Sequence, residues 1–234
     1  MQGYKIFLTS LLIWVTYYAP AQQRVVNKYG IYTIASKREY NNLVKVDSMN
    51  AMVDLRSHIP NIVYELRYAT TNNFMHKRMY PKKTRSTFLR LPATLALQNV
   101  QKELNKMGLG LKIWDAYRPY SVTVDFWELV HDDRYVADPR KGSGHNRGIA
   151  VDCTLIDLAS GKELNMGTDY DNFSDTAHHS FEKLPITVIS NRQLLRKIME
   201  GNGFVAFETE WWHYSLSGGG RFGLMDLSFR ELRR

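Results

Sequence analysis

Two short segments of the sequence combine residue types that can hold a metal ion and activate a water molecule. In the first, residues 143–152, His145 lies in a glycine-rich loop and Asp152 ends the apolar run that follows. In the second, near the C-terminus, Glu210 and His213 lie in a strongly aromatic stretch. Two histidines and an aspartate supply three ligands and leave a fourth position open for water, which is typical of a catalytic zinc site. A carboxylate such as Glu210 beside that water can serve as a general base.

Each segment also permits a purely structural interpretation. A buried carboxylate such as Asp152, which stands among apolar residues, needs a cation or several hydrogen-bond donors. An arginine would satisfy Asp152 as well as a metal would, and His145 could simply be hydrogen-bonded. Glu210 and His213 could likewise lie at the edge of a core formed by the neighbouring tryptophans. The spacing within the segments does not decide between these alternatives.

The spacing of Glu210 and His213 places a condition on the local backbone. Side chains alternate between the two faces of a strand, so residues three apart point to opposite faces. Both side chains can reach one site only where a bulge, a twist or a strand end interrupts the alternation. We therefore expect such an irregularity between Glu210 and His213.

Composition narrows the chemistry further. The 234 residues carry a formal net charge of +8, but lysine and arginine are scattered along the chain, which argues against a nucleic-acid partner. Cys153 is the only cysteine, so an intramolecular disulfide and a cysteine-rich zinc site are excluded, and any metal must be held by histidines and carboxylates. Strand alternation points Cys153 away from Asp152, which favours a small buried apolar residue over a nucleophile.

The elements that must position these residues follow from the hydrophobic pattern. A helix is predicted from about Pro92 to Gly108 or Gly110, with a core face formed by Leu97, Val100, Leu104 and Met107. Two further helices are predicted, one over 121–130 and one from an N-cap at Asn191 to Gly201. Strand-like runs occupy 62–68, 111–114, 149–155 and 203–214. Because helices and strands do not alternate regularly, the expected fold class is α+β with a mainly antiparallel sheet.

The N-terminal 21 residues have the pattern of a secretory signal peptide. Lys5 precedes an apolar stretch of about 14 residues, and Ala19-Pro20-Ala21 matches the small residues before a cleavage site. The stretch is shorter than the ~20 residues that cross a bilayer, so no stable membrane insertion is expected after cleavage. We expect an exported bacterial protein, periplasmic or secreted, with a polar leader over 22–50 and one domain over 51–234.

The motifs together resemble a known family. The pattern Ser-x-His-x-x-Gly-x-Ala-x-Asp over 143–152, followed by Glu-Trp-Trp-His over 210–213, is that of the zinc D-alanyl-D-alanine peptidases. Within that group the chain is most similar to the D-alanyl-D-alanine dipeptidases of the vancomycin-resistance (VanX-like) type, because four further segments agree, namely 67–74, 115–119, 166–173 and 177–179. The resemblance implies a hedgehog/D-Ala-D-Ala-peptidase-like α+β domain whose antiparallel sheet carries one zinc ion.

The resemblance also implies roles for particular residues. By position, the family's zinc ligands correspond to His145, Asp152 and His213, and its catalytic base corresponds to Glu210. The arginine of its Tyr-Arg-Pro motif corresponds to Arg118, where a fixed cation can stabilise the oxyanion that develops as water attacks the carbonyl. The alternative for Arg118 is a structural salt bridge.

Three positions correspond to substrate-binding residues of the family. Asp171 and Tyr68 fall where the free amino group of the dipeptide is received, and Ser143 falls near its carboxylate end. Without the resemblance, Asp171 would be interpreted as a turn residue and Ser143 as a loop residue. Tyr170 occupies a position where the family more often has phenylalanine.

The activity implied is zinc-dependent hydrolysis of D-alanyl-D-alanine, a small dipeptide of cell-wall metabolism, to two D-alanines. One alternative is a peptidoglycan D,D-carboxypeptidase or endopeptidase, which needs space beyond the substrate amine. Another is a non-catalytic wall-binding module, which would not need Glu210 and Arg118 together. His178 and His179 belong to the matching segments, but three ligands already complete an open site, so a packing role is expected for them.

Overall fold

Seven strands and seven α-helices occur in residues 26–233, the part of the chain that the computed structural model describes. The strands are β1 (Met52–Asp54), β2 (Val63–Tyr64), β3 (Phe88–Arg90), β4 (Leu109–Asp115), β5 (Ala150–Asp157), β6 (Phe204–Phe207) and β7 (Glu210–Leu216). The helices are α1 (Lys37–Val46), α2 (Leu55–His58), α3 (Leu91–Asn105), α4 (Tyr120–Val130), α5 (Gly144–Arg147), α6 (Ile186–Gly201) and α7 (Phe229–Leu232).

The strands form one large and one small sheet. The large sheet has the order β2-β4-β5-β7-β6, in which β2 runs parallel to β4 and all other neighbours are antiparallel. The small sheet is the antiparallel pair of β1 and β3. The predicted mixture of helices with a mainly antiparallel sheet is therefore confirmed.

The hydrophobic core lies on the face of the large sheet that packs against α3 and α6. Val151, Cys153 and Leu155 of β5 point into it, together with the buried faces of both helices. Because side chains alternate along β5, Asp152 points to the opposite face. Cys153 is fully buried, as expected for a small apolar residue.

Three strands meet in register at the centre of the sheet. Asp152 on β5 lies directly opposite His213 on β7 and directly opposite Asp115 on β4. A register shift between Ile113 and Asp115 brings Asp115 to this position. One rung of the sheet therefore carries two carboxylates and an imidazole.

The predicted run over 203–214 is two strands rather than one, joined by a turn at residues 208–209. Ala206 on β6 pairs with Tyr214 on β7, but the next residue, Phe207, pairs with Glu210. This register shift leaves the three residues 211–213 of β7 without a partner on β6. It is the irregularity that the spacing of Glu210 and His213 required, and both side chains line the same cavity.

Three further sequence predictions were wrong in detail. Met107 is 48% exposed, because α3 ends at Asn105 and the chain turns before Met107, although the other predicted core residues of this helix are buried. The helix predicted from Asn191 begins at Ile186 after Pro185, and the amide of Asn191 instead donates to the carbonyl of Asn165.

The predicted strand over 62–68 is regular only at Val63–Tyr64, since Arg67–Ala69 form a 3₁₀ turn. The strands predicted over 111–114 and 149–155 and the helix predicted over 121–130 agree with β4, β5 and α4 to within two residues at each end.

The segment before β1 packs against the C-terminal part of the domain. Ile34 is buried, and its backbone bonds with Leu224 and Asp226. Helix α1 begins after the N-cap Ser36, and the hydroxyl of its buried Tyr40 accepts from the backbone N–H of Met52. The predicted signal peptide over 1–21 lies outside the described residues, and none of the helices in residues 26–233 is long and apolar enough to cross a membrane.

Candidate metal centre and substrate pocket

His145 is fixed by a short, capped helix. The Ser143 side chain accepts from the backbone N–H of His145, and Asn146 closes the capping box by accepting from the backbone of Ser143. The imidazole Nδ1 lies 2.7 Å from the carbonyl oxygen of Ala116. A carbonyl only accepts, so Nδ1 carries the proton and Nε2 presents its lone pair to the site.

His213 and Asp152 face His145 from neighbouring strands. Oδ1 of Asp152 lies 2.9 Å from Nδ1 of His213 and 3.4 Å from Nε2 of His145, and the two imidazole nitrogens are 3.1 Å apart. Nε2 of His213 lies on the other side of the ring, 3.3 Å from the hydroxyl oxygen of Ser215, with which it can form a hydrogen bond. The three ligand atoms all lie within 4.8 Å of one another. Two nitrogens and one carboxylate oxygen therefore converge on one point.

The charges around this point fit a divalent cation. Asp115, Asp152 and Glu210 are buried and Asp171 is partly buried, whereas Arg118 is the only buried cation among the residues that line or floor this cavity in the described chain. Burial of several carboxylates with one guanidinium is costly unless another cation joins them. The donor set of two imidazoles and one carboxylate suits zinc.

Asp115 holds the guanidinium of Arg118 in a fixed orientation. Its Nε and Nη2 lie 2.9 and 2.8 Å from Oδ2 of Asp115, and Nη2 lies 3.8 Å from Oδ2 of Asp152. Burial is the largest single influence and lowers the pKa of the Arg118 guanidinium, but Asp115 and three nearby tyrosines together raise that pKa well above its ordinary value. Asp115 is itself fixed by the Tyr80 hydroxyl at 2.7 Å and by the N–H of Ala116. The result is a rigid cation beside the ligand cluster.

Glu210 stands at the first position of β7, beside the ligand cluster. Its side chain is buried, and Oε2 lies 3.9 Å from Nδ1 of His213. Burial and the nearby Asp152 and Asp171 raise the pKa of the Glu210 carboxyl well above its ordinary value, and Arg118 opposes the rise. This carboxyl is therefore suited to exchanging protons.

Asp171 lines the cavity and is held by two hydrogen-bond donors. The Tyr68 hydroxyl donates to its Oδ1 at 3.1 Å, and the backbone N–H of Phe74 donates to its Oδ2 at 3.4 Å. Asp171 has a positive φ of 58°, an uncommon conformation for a residue other than glycine. Burial, followed by repulsion from Asp152, raises the pKa of Asp171 to about 7. The structure thus brings Asp171 and Tyr68 into direct contact.

The cavity that contains these groups has a volume of about 270 Å³. Its walls include every residue that the sequence analysis selected as a site residue, and they are His145, Asp152, His213, Glu210, Arg118, Asp171, Tyr68 and Ser143. Aromatic rings of Phe74, Phe126 and Phe173 line the same cavity. The size suits a small ligand held by charged groups within partly apolar walls.

Comparison with known proteins shows the family to which this chain belongs. The model of the peptidase M15 family, which is described as D-ala-D-ala dipeptidase, matches residues 48–230, well over half of the chain. The chain belongs to this family. It is therefore a peptidase, and the resemblance stated from the motifs is confirmed.

Two curated relatives of this M15 peptidase cover most of its length. The D-alanyl-D-alanine dipeptidase of Escherichia coli (strain K12) is 36% identical over 174 residues, which are 74% of this chain and 89% of that protein. The D-alanyl-D-alanine dipeptidase of Enterococcus faecalis (strain ATCC 700802 / V583) is 30% identical over 185 residues, or 71% and 92% of the two chains. Among solved structures, the LdcB LD-carboxypeptidase has a TM-score of 0.41 and 19% identity, covering 72% of this chain and 68% of that chain.

Two residues of the M15 site had no role in the sequence analysis. Asp115 orients Arg118, and the signal for it was present, because Asp115 ends an apolar run as Asp152 does. Tyr170 donates from its hydroxyl to Oδ2 of Asp152 at 2.8 Å, and nothing local in the sequence predicts that contact. His179 lies apart from the ligand cluster, with its ring 6.1 Å from that of Tyr214.

Proposed function

We propose that this M15 peptidase hydrolyses D-alanyl-D-alanine to two D-alanines, with one zinc ion held by His145, Asp152 and His213. The observation that carries the proposal is the convergence of three ligand atoms within 4.8 Å beside Glu210. The names of the two relatives support the choice of substrate. The zinc site would lie on the antiparallel sheet of a hedgehog/D-Ala-D-Ala-peptidase-like domain.

The three ligand residues would hold the metal ion that serves as the Lewis acid of the reaction. When bound, zinc polarises the scissile carbonyl and makes a water molecule acidic enough to lose a proton near neutral pH. Glu210 is near enough to the ligand cluster to take that proton and to pass it to the leaving amine. Its backbone is fixed at the strand start by pairing with Phe207. One carboxylate thus acts first as base and then as acid.

Arg118 would stabilise negative charge on the carbonyl oxygen. Asp115 holds the guanidinium by two hydrogen-bonding nitrogens, so no reorganisation is needed when charge develops. The site is largely closed to solvent, which strengthens the interaction between the guanidinium and the oxyanion.

Asp171 and Ser143 would select the two ends of a free dipeptide. An ionised Asp171 pairs with the substrate ammonium, and the Tyr68 hydroxyl orients that carboxylate. Ser143 accepts from the backbone of His145, which leaves its own hydroxyl proton available for the substrate carboxylate. Recognition of a free amine by Asp171 favours a dipeptidase over a peptidoglycan carboxypeptidase, whose substrates carry further groups beyond that nitrogen.

We also propose that residues 1–21 are removed on export and that the mature chain, with its leader over 22–50 and its domain over 51–234, acts on dipeptide in the periplasm or outside the cell. The support is the charged, apolar and small-residue pattern of the N-terminus. N-terminal sequencing of protein from the extracytoplasmic fraction tests this. An uncleaved chain found in the cytoplasm would contradict it.

The decisive experiment is release of D-alanine from D-Ala-D-Ala and, in parallel, from its N-acetylated form, by zinc-loaded protein. Cleavage of the free dipeptide alone supports the proposal. Cleavage of the acetylated form assigns a wall carboxypeptidase instead. If neither is cleaved by protein with zinc bound, the proposed substrate is wrong and the alternative of a non-catalytic binding module regains support. The Glu210→Gln variant is the control for contaminating peptidase.

A further inference from the structure

Arg192 is a buried arginine without an acidic partner. It lies on α6 and is 5% exposed, and no carboxylate of the described residues lies within ion-pair distance of it. Burial lowers the pKa of its guanidinium to about 10. A buried cation needs compensation from hydrogen-bond acceptors, so the identity of those acceptors indicates what the residue is for.

The acceptors are backbone carbonyls at the two ends of one loop. Nε of Arg192 donates to the carbonyl of Met166 at 2.8 Å. Nη1 donates to the carbonyls of Thr176 at 2.9 Å and His178 at 3.3 Å. The guanidinium also lies 5.6 Å from the ring centroid of Trp211. A single planar side chain therefore joins the beginning and the end of residues 166–178.

Other contacts hold the same loop close to α6. The amide of Asn191 donates to the carbonyl of Asn165 at 2.9 Å. Gly167 has a φ of +83°, and a Cβ there would lie only 2.7 Å from a methyl carbon of Val188. Trp211 donates from its indole nitrogen to the hydroxyl of Thr168 at 2.7 Å. The loop start is thus tied both to the helix and to β7.

The loop between these ties carries groups of the substrate pocket. Asp171 accepts from Tyr68 and from the backbone of Phe74, and Tyr170 donates to Asp152. Between its ends the loop contains only one short 3₁₀ turn, Asp175–Ala177. The position of Asp171 therefore depends on how the two ends are held.

We propose that Arg192 is a positioning residue that fastens both ends of loop 166–178 and so sets the place of Asp171 in the substrate pocket. The proposal rests on the proposed function for the part that Asp171 plays toward the substrate ammonium. Arg192 touches no reacting group, and it acts through the loop. The three metal ligands lie on α5, β5 and β7, outside the loop, so Arg192 does not hold any of them directly.

The test compares Arg192→Lys and Arg192→Gln with the wild type and with Arg196→Lys. Lysine keeps the positive charge. It lacks the planar guanidinium, whose separate nitrogens donate to the two ends of the loop. Arg196 is one turn further along α6, is 40% exposed and pairs with Glu200, which makes it a matched control. Both Arg192 variants should accelerate amide hydrogen exchange in residues 167–177 at least about tenfold relative to the rest of the domain.

Kinetics supply the second readout. In the Arg192 variants we expect KM for free D-Ala-D-Ala to rise on the order of tenfold while kcat falls by less than about threefold, because the loop binds substrate and carries no proton-transfer group. At saturating zinc, the zinc stoichiometry should stay at the wild-type value, because all three ligands remain in place. Arg196→Lys should leave exchange in the loop and KM unchanged.

Two results would overturn the inference. One is loop exchange equal to the wild type in both Arg192 variants, which needs no activity to be measured and so is separate from any failure of the proposed function. The other is an equal loss of protection across the whole domain with KM unchanged, which would make Arg192 a general stabilising residue. If the wild type has no dipeptidase activity but hydrogen exchange in the loop depends on Arg192, the proposed function is rejected. The role of Arg192 in holding loop 166–178 is then still supported.

Discussion

Tyr170 donates its phenolic hydrogen to Oδ2 of Asp152 at 2.8 Å, on the side of the carboxylate away from the histidines. Oδ1 of the same carboxylate faces His213 and His145. The two oxygens of Asp152 therefore have different partners. Oδ1 is directed to the ligand cluster, and Oδ2 is held by Tyr170 of loop 166–178. A carboxylate fixed in this way presents one oxygen to a metal.

Replacing Tyr170 with phenylalanine should weaken zinc binding. The ring remains, but Oδ2 of Asp152 loses its donor, and loss of such a partner typically costs 10- to 100-fold in metal affinity, so a decrease of about tenfold or more is expected. Competition with a chromophoric chelator measures it. Tyr120→Phe is the control, because Tyr120 is equally buried and donates to the carbonyl of Pro139 outside the site. Equal zinc affinity in wild type and Tyr170→Phe would contradict the prediction.

Glu210→Gln and His213→Ala should separate catalysis from metal binding. The amide cannot take a proton from water, so kcat should fall on the order of 10²- to 10⁴-fold while zinc stays bound. His213→Ala removes one of three ligands, so zinc itself should be lost. Zinc content by mass spectrometry and D-alanine release are measured on the same samples. A Glu210→Gln variant that keeps the wild-type rate would refute the role of this carboxylate.

Asp115 and Arg118 should be strongly coupled in stability. Asp115→Ala leaves a buried guanidinium without its partner, which should lower the free energy of unfolding by about 3–5 kcal/mol. Adding Arg118→Met removes the stranded charge, so the double variant should be less destabilised than the sum of the single variants. Urea denaturation of the wild type, Asp115→Ala, Arg118→Met and the double variant completes a double-mutant cycle. Additivity within about 0.5 kcal/mol would show that the two residues do not interact.

Asp171 should make the free energy of unfolding decrease as the pH rises. Burial, followed by repulsion from Asp152, raises the pKa of its carboxyl from the ordinary 3.8 to about 7. Between these values the folded chain holds a proton that the unfolded chain has released, so rising pH removes stability. Asp171→Asn lacks this titration. The free energy of unfolding of the metal-free wild type, relative to Asp171→Asn, should fall from about pH 4 to about pH 7 and then level off.

Urea denaturation at several pH values measures this difference, because most other titrating groups are common to both proteins. A difference that does not change with pH would mean that Asp171 titrates as an exposed carboxyl. A difference that grows with pH would mean that Asp171 is stabilised as the anion in the metal-free protein.

The ligand cluster could be predicted because its chemistry is local in the sequence. His145 and Asp152 lie on consecutive elements, and an acid within an apolar run already demands a partner. The spacing of Glu210 and His213 required an irregular strand, and the register shift of β7 supplies it. Asp115 could have been found by the same argument as Asp152.

Other features could not be predicted, because their partners are distant in sequence or are backbone atoms. Arg192 bonds to carbonyl oxygens, which every residue possesses, so no residue pattern marks its acceptors. Asn191 resembles a helix N-cap, but tertiary contact with Asn165 uses its amide inside α6. Met107 continues the helical period of α3 in sequence but lies beyond the end of the helix.

The register shift between β6 and β7 also limits where this protein can change in length. Tyr214 and Ser215 are paired with strands on both sides, and Glu210 is paired with Phe207, so the segment between Glu210 and Tyr214 is held at both ends. One residue added within that segment would turn Glu210 or His213 to the other face of the sheet. Residues added to the turn at 208–209 would extend only the hairpin tip. Insertions that lengthen this part of the protein are therefore tolerated in the turn at 208–209. Insertions within residues 211–213 are not, because they would misplace Glu210 or His213.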